Sequence, residues 1–177
     1  MSLHVFVDES RRRSNYLIAA TYLDPGQLRP TRTMLRSLLM PGQRELHFKK
    51  ETPQRRKLVL SQMADAGLRC WIYTADCSND LEAARQSCLA MLSASLVEVD
   101  ACRLVLDSRD DRDRLDVATI RRVLGKAARE SGLSYEHLCS HQEELLWIAD
   151  AVAWAYGAGG DWARRVDSIV TGVIEAR

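Results

Sequence analysis

Much of what marks a protein class is missing from this chain. Net charge is only +1, so no global field announces a polyanionic or polycationic partner. Any binding to nucleic acid has to come from local patches. Its five cysteines are odd in number, widely spaced and never in a Cys-x-x-Cys pair, which argues against a disulfide framework or a zinc site and for a reducing, cytoplasmic setting. There is no secretory signal pattern, because the basic residues follow the N-terminal apolar run rather than precede it. The longest apolar stretch, Leu145–Ala158, is too short to span a bilayer and contains Asp150. Repeats, low-complexity linkers and Gly-rich phosphate loops are absent as well. The expectation is one soluble domain over residues 1–177 with no membrane partner.

What is present starts at once. Leu3–Val7 reads as a short buried strand that stops on two carboxylates, Asp8-Glu9. Strand packing does not call for Asp8, since a half-buried carboxylate is costly unless something pairs with it. After a polar turn over residues 11–15, Asn15–Leu23 reads as a second strand, an antiparallel hairpin partner. Pro25, Gly26 and Pro30 end it. Helical spacing then predicts helices over 31–40 and 52–66, with residues 45–51 irregular between them. The rest alternates: strand 68–75, helix 80–99, strand 102–107, helix 115–130, strand 135–139, helix 143–158, and a last helix over 162–173. Hairpin first and parallel strands later describe an α/β protein with a mixed five-stranded sheet flanked by helices and a two-helix insertion after the first hairpin.

That arrangement relates three distant aspartates. Asp8 ends the first strand and Asp107 ends another apolar strand; Asp150 lies mid-helix among Leu145–Trp154. Parallel neighbours lie about 4.8 Å apart, so the two strand-end carboxylates would emerge at one sheet edge. Convergent carboxylates repel unless cations neutralise them, and hard oxygen ligands select Mg²⁺ or Mn²⁺. Two such ions can activate water and stabilise a leaving oxygen in phosphodiester cleavage. Each residue also has a purely structural explanation: Asp8-Glu9 as a turn pair, Asp107 as part of the alternating Asp/Arg run to Asp116, Asp150 as a buried acid bonded to backbone or Arg. That run lacks the Gly and terminal Glu of an EF-hand loop.

The opening Val-Phe-Val-Asp8-Glu9-Ser10, the strand ending in Asp107 and the late Leu-Trp-Ile-Ala-Asp150 helix together resemble the bacterial domain-of-unknown-function family numbered 3800. The resemblance implies a ribonuclease H-like fold. This chain departs from the family pattern at Arg11, where Gly is usual, and at Trp147, where Gln is usual. In ribonuclease H-like nucleases a Glu on the helix after the third strand often completes the ligand set, which here offers Glu82 or Glu98. Glu9 is the alternative, although alternation turns it to the face opposite Asp8.

Around Phe48, the segment Glu45–Glu51 packs His47, Lys49 and Lys50 among acids. His47 could deliver a proton and Lys49 or Lys50 could bind phosphate, while a solvated loop explains the same residues. The expected function is therefore a metal-dependent nuclease or related phosphodiester-cleaving enzyme acting on DNA or RNA. Asp8, Asp107 and Asp150 would hold Mg²⁺ or Mn²⁺, with Glu9 a further metal candidate and His47 and Lys50 assisting. Two competitors stand beside it: a non-catalytic nucleic-acid or protein-binding module on the same fold, and an acid–base enzyme using Asp8 and Glu9 on a small molecule.

Overall fold

In a computed structural model describing residues 3–176, the first hairpin is the centre of the molecule. Strand β1 (Leu3–Arg12) pairs antiparallel with β2 (Asn15–Leu23) through the two-residue turn Arg13-Ser14. The strand runs further than its apolar residues suggest: Arg11 and Arg12, expected in the turn, pair with Tyr16 and Asn15. Strands β3 (Arg69–Asp76) and β4 (Ala101–Asp107) flank the hairpin, β3 antiparallel to β2 and β4 parallel to β1. Strand β5 (Ser134–Leu138) extends the sheet parallel to β4. The expected mixed five-stranded core is present in the order β5-β4-β1-β2-β3.

A sixth strand was not expected. Of the segment read as a last helix, only Gly160–Arg164 is helical (α7), and Val170–Glu175 forms β6, parallel to β3. Val, Thr and Ile suit a pleated edge, and the partner strand lies about a hundred residues upstream, beyond what local periodicity can sense. Gly172 sits opposite Trp71 in this pair, and a Cβ there would come within 2.3 Å of the indole. The ring covers the glycine backbone instead.

Helices cover both sheet faces. On one lie α1 (Pro25–Ser37), α2 (Pro53–Asp65) and α6 (Leu146–Ala158), enclosing Phe6, Leu17, Ile72 and Val105. On the other, α3 (Leu81–Glu98) and α4 (Asp113–Leu124) bury Val5, Val7, Ile18 and Tyr73. Helix α1 begins six residues before its periodic pattern. Asp24 and Gln27 form a capping box and Pro25 opens the first turn, so proline initiates this helix rather than blocking it. Pro30 is accommodated inside. The predicted helix over 115–130 is broken at Gly125, where φ is +50°, and resumes as α5 (Ala127–Glu130). No described helix is long and apolar enough to cross a membrane.

Candidate active site

Alternation along β1 decides the site. Phe6 faces α6, so Asp8, two residues on, faces the same side, whereas Glu9 turns to the α3 side with Val5 and Val7. Asp107 follows Val105 onto the α6 face in the same way. Helix α6 lies across that face and brings Asp150 down to them. Asp8, Asp107 and Asp150 line one cleft of about 470 Å³, together with Glu9, Ser10, Arg11, Arg12, His47, Lys49, Ser140 and Trp154.

The three aspartates lack direct ion-pair partners: among the described residues no Arg, Lys or His forms an ion pair with any of them. Burial, then the charges of Asp150 and Asp107, pushes the Asp8 carboxyl well above the usual carboxylate range. Asp107 is raised to about 6 by burial and by Asp150 and Glu45. Asp150 is raised by burial, a shift opposed by the Phe48 N–H, which donates to its Oδ2 at 2.9 Å. Uncompensated buried carboxylates of this kind are the donor set a hard divalent cation takes.

The insertion supplies a fourth acid that the sequence reading did not single out. Leu46 and Phe48 are buried, and the extended backbone between them turns the alternate residues outward. Glu45 lies near enough to Asp107 and Asp150 to raise both carboxyls, and it accepts a hydrogen bond from Ser140 Oγ. His47 and Lys49 line the cleft, while Lys50 does not: it points to solvent at the end of a 3-10 turn. The signal was there in Glu-Leu-His-Phe-Lys, a two-residue alternation short enough to pass for an irregular loop.

The other acidic candidates are engaged elsewhere. Glu82 accepts from Arg112 at 2.8 Å, and Glu98 is exposed beside a different cavity. That cavity is larger, about 660 Å³, but lies at the opposite end of the strands among Leu3, Tyr22, Trp71 and Tyr73. Glu9 is clasped by Arg85 and by Arg109, the latter at 3.2 Å. Its carboxylate thus belongs to a buried network on the α3 face rather than to the aspartate set. Arg85, 3% exposed, donates to Asp116 at 2.8 and 2.6 Å and to Tyr16 Oη at 2.6 Å. His137 Nε2 lies 3.1 Å from Asp116.

Among the described residues, Asp113, Asp116 and His137 are the set whose ligand atoms all fall within 4.8 Å of one another. Asp116 already has a guanidinium on both oxygens, and Asp113 accepts from Ser108 Oγ and the Arg109 N–H. A cation there would have to displace a buried Arg, which makes this set a poor ion site despite its tightness. The cleft aspartates are more widely spread. A pair of ions about 4 Å apart needs its ligands distributed around both, and only a single ion demands so close a cluster.

No protein-family model matches this chain, and no curated protein matches it. One solved structure that is similar is the PCNA:RNase HII complex from Archaeoglobus fulgidus: the match has a TM-score of 0.55, 14% identity, and covers 88% of this chain and 73% of that one. The fold is ribonuclease H-like. Identity this low speaks for the architecture and not for the chemistry.

Proposed function

We propose that this protein is a metal-dependent nuclease that cleaves phosphodiester bonds in DNA or RNA. The observation that carries the reading is the convergence of Asp8, Asp107 and Asp150, from two strands and a helix, in one cleft without an ion-pair partner among the described residues. These residues fit Mg²⁺ or Mn²⁺ by the chemistry of their donors, three carboxylates with Glu45 beside them. When bound, such ions supply charge neutralisation and an activated water.

The chain's own groups have separable tasks. Asp8 and Asp107 set the ligand positions because adjacent parallel strands fix their spacing. Asp150 is oriented by the Phe48 N–H, which ties the insertion to the site. His47, on the cleft wall, is placed to hand a proton to a leaving oxygen. Lys49, Arg11 and Arg12 supply the positive rim along which a phosphate backbone can run.

The test is cleavage of single-stranded, duplex, hybrid and branched substrates by purified protein with Mg²⁺ or Mn²⁺. Activity abolished by Asp8→Asn is expected. Inertness on every substrate would sink the proposal, and Mn²⁺ uptake by calorimetry that ignores Asp107→Asn would favour a binding module.

A further inference from the structure

One wall of the cleft is aromatic and cationic rather than acidic. Trp154 follows Asp150 by four residues on α6, so its side chain emerges one turn along the same helix face, about 5–6 Å away at Cβ. Two aromatic neighbours pack against the ring in T-shaped geometry, Phe48 at 5.4 Å and Trp162 at 5.5 Å. Arg56 lies over the indole at 4.3 Å, and its guanidinium is itself fixed by the carbonyls of Phe48 at 3.0 Å and Lys49 at 2.5 Å. Arg12 also lies over the ring, at 5.1 Å, yet it is solvent-exposed and makes no side-chain hydrogen bond or ion pair among the described residues. Its stem crosses α6 at Gly157, where a Cβ would come within 3.3 Å of Arg12 Cγ and equally of the buried Leu17 Cδ2.

Packing alone does not account for a part-exposed indole with one anchored and one free guanidinium, all beside a row of carboxylates. We infer that Trp154 and Arg12 form a stacking platform for an unpaired nucleobase next to the phosphate held at the aspartates, so the substrate is nucleic acid with a single-stranded segment at the cleft. This rests on the nuclease reading above. In a duplex each base face is covered by its neighbours, and the strand offers only phosphates to a wall at this distance. An unpaired base has a free face, and aromatic and Arg planes bind it without regard to sequence. Arg12 can move off the ring to admit the base and then stack on it or pair with its phosphate.

The experiment uses the full chain in an Asp8→Asn background with Mg²⁺, measuring anisotropy of fluorescein-labelled oligothymidylate alone and annealed to oligoadenylate. Tighter binding of the single strand is expected. Trp154→Ala should weaken that binding by about tenfold or more with little change for the duplex, and Trp154→Phe should recover most of it. Arg12→Ala, at an exposed position, should weaken the single strand selectively. Equal binding of both forms, or equal weakening of both by Arg12→Ala and Trp154→Phe, overturns the platform while leaving the nuclease reading intact. Inertness of the unsubstituted chain on every substrate instead overturns the nuclease reading, whatever the binding shows.

Discussion

Asp8 and Glu9 are neighbours in sequence and opposites in circumstance. Asp8 enters a cleft where neither it nor Asp107 nor Asp150 has an ion-pair partner among the described residues, and burial with the charges of Asp150 and Asp107 lifts its carboxyl. Glu9 enters a network where Arg85 and Arg109 answer it, and where Asp116 is held down at about 2. Burial would raise Asp116 too; the hydrogen bonds from Arg85 and His137 outweigh it. One face of the sheet has closed its electrostatics from within. The other leaves them open to something from outside, as sites that bind cations do. Paired acids here are architecture, and unpaired acids are the candidate chemistry.

The largest effect expected is on the closed face. Arg85→Met removes the guanidinium that bonds both oxygens of buried Asp116 and one of the two that clasp Glu9, and urea unfolding should show a loss of about 3–5 kcal/mol. A loss under about 1 kcal/mol would mean that the network is not structural. Next comes the open face. Mn²⁺ at a hundredfold excess over its dissociation constant should stabilise the protein by about 2.7 kcal/mol in a thermal melt. That gain should vanish in Asp107→Asn and survive His137→Gln. The reverse outcome would move the ion to the α3 face and invert the comparison.

The two faces should also titrate in opposite senses. The Asp116 carboxyl sits at about 2 in the folded chain against an ordinary 3.8. Its contribution, about 2 kcal/mol, is present above pH ~4 and is lost as pH falls toward 2. Asp107 is raised to about 6, so the folded state favours its protonated form and stability falls as pH rises from about 4 through 6. In cation-free buffer at neutral pH, Asp107→Asn should therefore stabilise by about 1–2 kcal/mol, the charge being partly screened. Asp116→Asn should destabilise at the same pH. Both variants moving the same way would erase the distinction.

The smallest effect serves as a control. Asp100 follows the C-terminal end of α3 with φ +53°, a left-handed position that suits glycine, and it places an acid at the negative end of the helix. Asp100→Gly should raise stability by about 1 kcal/mol and leave the Mn²⁺ response unchanged, since it touches neither set of carboxylates.

How much of this was legible depended on how local the cause was. The hairpin could be read because apolar alternation, a polar turn and a second apolar run lie within about twenty residues. Asp8 and Asp107 could be named because an acid at the end of a buried strand conflicts with its surroundings. Glu45 was missed: its relation to Asp107 exists only once α6 and the insertion close over the sheet. Lys49 and Lys50 are chemically alike, and the 3-10 turn alone decides which one faces the cleft. Arg85 and Asp116 look like surface charges on two helices thirty residues apart, and nothing short of packing shows that they meet.

By itself the sequence determined five of the six strands and the parity that sends Asp8 one way and Glu9 the other, because side-chain alternation acts over a few residues. Only the tertiary structure decided which acids are answered. A charge's partner is set by distance in space, and Glu9 finds its two partners, Arg85 and Arg109, 76 and 100 residues away along the chain.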